Sequence, residues 1–514
     1  MAIDMRVLNL VQTRTARLRT SLYADDARIF ANPNKEELLA IRHILDVFAE
    51  ATGLRTNLEK TEVFPIRCEH IDLVDTLSVF PAKLTTFPGK YIGLPLHIRR
   101  LRKVDLQPLI DKFGARIPGW KGRNLTRAGR VDLTKSVLIP TITYHAAVLP
   151  LPKWALKKMD RLAQNFIWSA DDNDNAGAGC SLVNWKLVCT PKILGGLGVT
   201  DLERFGRALR LRWPWYEWAD PDRPWVGTDL PCSESDMALF RASTTITIED
   251  GKRASFWKDK CMGDSPLCTR APELYKIATR KNRTVCEDLE GDRWITAIDR
   301  LTTAVQLCEF LDIWQLLQTT GIDPSRPDSI RWNWMGSGEY SNKSAYHMQF
   351  SGRLVPFRSA KVWKAQATPK CKLFAWLVLH GRILTAKNLA IRGWPHNPIC
   401  RLCMASNETV THLCRDCPFS QAVWRSVHAA EGMPSPSPPD NGTSINTWWE
   451  GFLASVPAQN RRESSGAMIY TLWNIWKERN RRVFIGKRLT CQEVAHLALT
   501  DIRLHRSICF LFRE

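Results

Sequence analysis

One short stretch constrains this chain more than any other: Cys400-Arg-Leu-Cys403, then His412, then Cys417. Two cysteines with two residues between them place two thiolates on one side of an ion. Eight residues separate Cys403 from the histidine and four separate the histidine from the last cysteine, so the loop returns to close a tetrahedron. Four protein ligands leave no open coordination position, which points to a structural rather than a catalytic centre. Spacing alone leaves one ambiguity, because Cys414 also lies three residues before Cys417 and competes with His412. The bland alternative is a set of reduced, unpaired thiols. The chain holds 15 Cys, an odd number, most of them scattered singly. Met1–Leu10 carries Asp4 and no long apolar run, so no signal peptide is expected. No stretch of about eighteen apolar residues predicts a membrane span. A reducing intracellular compartment is therefore expected, with thiols free or on metal.

At 514 residues the chain is too long for one small domain and predicts roughly two to four. Apolar residues make up 44% and charged residues 24%, a globular balance that excludes a disordered protein. Lys and Arg number 72 against 52 Asp and Glu, a net charge of +20. A globular chain this basic is suited to a polyanionic partner, above all nucleic acid. The 21 Trp could stack bases beside Arg and Lys, although most are expected in the core.

Ser21–Phe30 reads as strand, tight acidic turn, strand. From Asn34 to Thr52 the apolar residues Leu38, Leu39, Ile41, Ile44, Leu45 and Phe48 recur at helical spacing. Asn34 can cap that helix with Glu37 in a capping box, and Gly53 ends it. Phe87–Leu96 has Pro and Gly at its corners and reads as a short hairpin. The pattern is mainly helical from 99 to 169. A polar loop follows at 170–180, then turns and a Trp-rich helix over 181–220. Residues 219–235 and 434–443 read as linkers, and Met468–Phe484 as a basic helix. Gly195, Gly196 and Gly198 fit neither a Walker loop nor a dinucleotide fingerprint and read as a turn feeding a helix.

Two carboxylates on one turn, Asp25 and Asp26, repel each other, and a divalent cation removes that cost. Nucleotidyl transfer uses two such cations about 4 Å apart, bridged by carboxylates. Ser21-Leu-Tyr-Ala-Asp-Asp-Ala-Arg-Ile-Phe30 resembles the YADD hairpin of reverse transcriptases. Gly53–Phe64 is similar to the loop after that hairpin, and Phe87–Leu96 resembles the primer grip at the base of the thumb. By this resemblance Asp25 and Asp26 would be catalytic, magnesium-binding carboxylates, and Lys90 would sit on the primer grip. Lys60 would lie near the incoming nucleotide, but reads as a solvated loop lysine. The family needs a third carboxylate on an earlier palm strand. Only Asp4 precedes Asp25, about twenty residues away, too few for a strand end, loop, helix and return strand. Half a cage cannot fix two metals in line with a primer end, so no polymerase activity is expected from the chain alone.

Arg99, Arg100, Arg102, Lys103, Trp120, Lys121, Arg123, Arg127 and Arg130 form a basic region suited to phosphates without sequence readout. The bland alternative is a solvated helical face. Residues 118–144 and 181–213 resemble the thumb and connecting region of plant LINE-type (non-LTR) retrotransposons. Gly338–Phe350, Val362–Trp394 and Cys400–Trp424 resemble the reverse transcriptase zinc-binding domain. In that pattern the zinc ligands fall on Cys400, Cys403, His412 and Cys417, Cys414 is a packing residue, and His380 and His396 are structural. Zinc would there stabilise a small module that lacks a large core, with Lys361, Lys364, Lys370, Lys372, Arg382 and Lys387 on its helices. Residues 470–484 are similar to the segment that follows this domain in the same elements.

The expected architecture is α+β. A partial palm spans 1–98, a helical thumb and connection 99–220, and a region of unassigned fold 221–335. The zinc-binding domain follows at 336–430, a linker at 431–445 and a basic helical tail at 446–514. The expected function is that of a truncated retrotransposon RNA-directed DNA polymerase that binds nucleic acid. The alternative is a non-catalytic, zinc-dependent RNA- or DNA-binding protein derived from such an element. Zn²⁺ and Mg²⁺ are the expected cofactors, and template RNA and DNA the partners. No membrane, and no small molecule beyond nucleotides, is expected, and the resemblance implies residence in the nucleus.

Overall fold

The computed structural model describes residues 20–98, 101–117, 125–168, 181–318, 321–352, 360–434 and 443–511. Helices dominate them, beside four two-stranded sheets, so the α+β class holds. No helix among them is long and apolar enough to cross a membrane. The chain divides into two compact units, one of residues 1–111, 144–152 and 204–349, the other of 112–143, 153–203 and 350–514.

The first unit opens with the acidic hairpin. Thr20–Tyr23 pairs antiparallel with Asp26–Ile29, Tyr23 facing Asp26. Ala24 takes φ 52°, the left-handed backbone that a two-residue hairpin turn requires. The helix Lys35–Thr52 begins at Asn34, whose side chain accepts the Glu37 N–H, and ends at Gly53 with φ 75°. The expected capping box does not close on Asn34. Glu37 reaches past it and accepts both the backbone and the side-chain N–H of Asn32, satisfying two donors just ahead of the helix. The helix buries only Glu37 and Ile41, and Leu39, Ile44 and Phe48 of its apolar stripe stay about half exposed.

Gly89–Tyr91 and Leu94–Leu96 form the second hairpin, with Ile92 and Gly93 both at positive φ as a type I′ turn demands. It is tied to the acidic hairpin. The Ser21 and Tyr91 hydroxyls lie 3.0 Å apart, and Arg28 donates to the Lys90 carbonyl at 2.6 Å while its guanidinium covers the Tyr91 ring. Further on, Thr244–Thr247 pairs antiparallel with Ser329–Trp332 beside a core of Phe256, Trp257, Trp294 and Ile313.

The second unit is built on one continuous core. It runs from Ala128 and Ile167 through Val188, Leu197, Trp376 and Leu413 to Trp424, Trp449, Ile475 and Ala498. The helix Pro369–Leu379 is buried on nearly every side. So is much of Arg461–Asn480, which starts seven residues before the helix expected from 468 and is a core element despite its basic residues.

Candidate metal centre

The loop 399–417 is shaped before any ion is considered. A backbone bridge joins Ile399 to Asn407, the Cys400 N–H bonds to the Ser406 carbonyl, and Met404, at φ 59°, returns its N–H to the Cys400 carbonyl. These bonds curl Cys400 and Cys403 into one turn. Thr409 accepts the His412 N–H and starts a π-helical turn over His412–Asp416, and the Cys417 N–H bonds to the His412 carbonyl. Cys417 then caps the helix Pro418–Glu431, with Pro418 in the first position, where a missing N–H costs nothing.

The result brings Cys400, Cys403, His412 and Cys417 together, one ligand atom from each lying within 4.8 Å of all the others. Cys400 Sγ is 4.0 Å from Cys417 Sγ, and Cys403 Sγ is 3.4 Å from His412 Nε2. A tetrahedral zinc would set sulfurs about 3.8 Å apart and sulfur to nitrogen about 3.5 Å, so the donors fit. Cys400 and Cys417 are fully buried. The Cys400 S–H donates to the Cys417 sulfur. That bond lowers the Cys417 pKa, with the Ser420 and Phe419 N–H groups adding to it, and together with burial pushes Cys400 up to about 12. Bonds to the Cys400 and Cys403 sulfurs push His412 up to about 9 against its burial. Without a cation the cluster holds protons that a bound cation displaces.

Three arginines anchor the loop, and sequence reasoning missed the role of each. Glu408, buried at 1%, accepts Arg479 through both oxygens at 2.7 to 3.1 Å and also takes the Ala386 N–H. Arg482 donates to the Leu402 and Arg401 carbonyls and covers the Phe419 ring. Arg415 donates to the Thr443 carbonyl. For the Glu408–Arg479 pair the only local signal is an acid in the loop, since its partner lies 71 residues away.

Cys414 is buried, lies outside the four-residue group, and offers its carbonyl to Trp424 Nε1. His380 packs edge-on to Trp376, and His396 bonds to the Trp394 carbonyl. The expectation of a small module without a large core is corrected: Cys400, Leu413, Cys414 and Cys417 belong to the main core of the second unit. The glycine turn is no anion cradle. The Gly195, Gly196 and Gly198 N–H groups all bond to backbone carbonyls, and the Gly195 and Gly196 carbonyls accept Trp376 and Trp363.

Asp25 and Asp26 lie exposed at the hairpin tip. Among the described residues, no group of three or more potential metal ligands includes them. Lys90 and Lys103 are exposed on the surface. Arg102 is exposed too, and pairs with Asp105. Arg127 is half-buried, and Arg130 is corrected as a phosphate contact: it is 8% exposed and donates to the Phe166 carbonyl under that ring. Arg99, Arg100, Trp120, Lys121 and Arg123 lie outside the described residues.

Residues 340–424, which enclose the cluster, match the family model described as zinc-binding in reverse transcriptase. A candidate ribonuclease H protein of Arabidopsis thaliana is 25% identical over 366 residues, covering 65% of this chain and 57% of that protein. The chain thus spans just over half the length of the relative it matches, and carries a reverse-transcriptase-type zinc-binding segment around Cys400, Cys403, His412 and Cys417.

Proposed function

We propose that the chain is the nucleic-acid-handling part of a LINE-type retroelement reverse transcriptase, with a structural zinc centre and no polymerase activity on its own. The carrying observation is the convergence of the four donors, all within 4.8 Å of one another, inside the matched segment. Cys400, Cys403, His412 and Cys417 would hold the zinc, which when bound supplies folding free energy rather than an open Lewis-acid position. This chain's own residues shape the loop: Glu408 and Arg479 fix its middle, and Arg482 its first turn. The net charge of +20 supports binding of template RNA and DNA, and the resemblance supports residence in the nucleus. Exposed Asp25 and Asp26 would hold Mg²⁺ weakly, since two carboxylates at one hairpin tip cannot bridge two aligned cations. That same observation favours the second reading, a retroelement-derived binder whose role needs no catalysis.

Metal analysis of the purified chain should find about one zinc per chain, and Cys403→Ser should abolish it. Labelled RNA should bind the wild type and the Asp25→Asn/Asp26→Asn variant alike. Mg²⁺-dependent primer extension on an RNA template should be absent from both. Extension by the wild type that the double variant loses would refute the non-catalytic part of the proposal.

A further inference from the structure

A protruding turn follows the Arg461–Asn480 helix, within the second unit. Residues Arg481–Ile485 make a π-helical turn that ends at Gly486, φ 73°. Its tip is apolar and open: Phe484 is 76% exposed, Ile485 66% and Val483 38%. Three consecutive apolar side chains in water are unfavourable together, and a contiguous exposed apolar patch of this kind suits a contact surface. The turn is held from beneath. Glu478, fully buried, accepts Arg481, Arg482 and the Leu489 N–H. Arg482 also donates to the Leu402 and Arg401 carbonyls of the Cys400–Cys403 turn.

Charge selects the occupant. Between Glu478 and Glu493 the sequence has no acid, while Lys487 and Arg488 directly follow the apolar tip and, like Arg401, are exposed. An acidic or purely apolar protein surface would match only half of this patch. An unstacked base with its phosphates matches both halves, since stacking tolerates any base and cations follow the backbone. We infer that Phe484 is a stacking platform for single-stranded nucleic acid, with Lys487 and Arg488 on the adjacent phosphates and Arg482 as the positioning residue that ties the platform to the metal-binding loop. The inference rests on the nucleic-acid reading above and names the surface that carries it.

The test uses the full zinc-loaded chain and a fluorescein-labelled oligouridine, read by fluorescence anisotropy at fixed salt. Phe484→Ala removes an exposed ring and should leave the melting temperature unchanged while weakening binding about tenfold. Phe484→Trp should restore it, and Lys487→Ala/Arg488→Ala should flatten the dependence of affinity on salt. Leu311→Ala, which removes an exposed apolar residue of the other unit (55% exposed), should have no effect. Equal affinity of wild type and Phe484→Ala overturns this inference and leaves the general proposal standing. So does an effect of Phe484→Ala confined to self-association. A wild-type chain that binds no RNA or DNA overturns both.

Discussion

Asp328 is 4% exposed, and its two oxygens accept the backbone N–H groups of Glu249, Gly251, Arg253 and Ala254 at 2.8 to 3.0 Å. Burial alone would raise its pKa, but those four donors outweigh burial and hold it below 3.8. A depressed carboxyl contributes stability that is complete above its unfolded value and is lost as pH falls through the lower folded value. Asp328→Ala leaves four donors without their acceptor and should cost about 3 kcal/mol at neutral pH by thermal or urea melting, a penalty that shrinks below about pH 4. Asp160 has the opposite sign. Burial, with repulsion from Asp201 and Glu203, pushes it up to about 6. The folded state then binds the proton more tightly, so stability falls as pH rises from 3.8 through about 6. Asp160→Asn should therefore stabilise the chain by roughly 1–2 kcal/mol at pH 8 and by nothing below pH 4, which a pair of urea titrations decides. At the cluster itself, Cys414→Ala should keep the zinc that Cys403→Ser loses, as counted by a chromophoric chelator.

Elements in the second unit meet through a few close approaches. Gly466 lies inside the Arg461–Asn480 helix, where glycine costs about 1 kcal/mol against alanine. A Cβ there would stand 2.2 Å from the Gln366 carbonyl oxygen, so the helix needs its absence to pack. Gly466→Ala should destabilise the unit by more than the propensity it gains, measured as a lowered melting temperature. Glu408 with Arg479 joins the loop that carries the Cys/His cluster to the same helix, each side chain 6% exposed or less. Removing one partner strands the other, so Glu408→Ala should cost about 3–5 kcal/mol. Glu408→Leu/Arg479→Met, which removes both charges, should cost much less. Equal costs from the single and the double replacement would show that packing, not pairing, makes this joint.

Across the full chain, the division into two compact units predicts two melting transitions. Only the second contains the Cys/His cluster, so a chelator should lower one transition and leave the other in place, as calorimetry would show. Because the cluster lies in a large core, metal removal should loosen that unit rather than unfold it outright, unlike an isolated zinc finger. A single transition that falls as a whole on chelation would show that the units fold as one.

Whatever depends on neighbours along the chain was legible in the residues alone. The four-ligand spacing, the acidic hairpin with its two-residue turn, the Asn34 and Gly53 caps and the second hairpin with its glycine corner are local geometry, set by which backbone conformations each residue permits. Whatever depends on distant partners emerged only from the folded chain. Arg130, read as a phosphate contact, and Arg479, in a helix read as basic, are both buried because a carbonyl or carboxylate from far along the chain accepts each. Leu39, Ile44 and Phe48 show the reverse, an apolar stripe at core spacing that stays exposed. Periodicity tells which face of a helix is apolar, but only the packing of other elements against that face removes it from water.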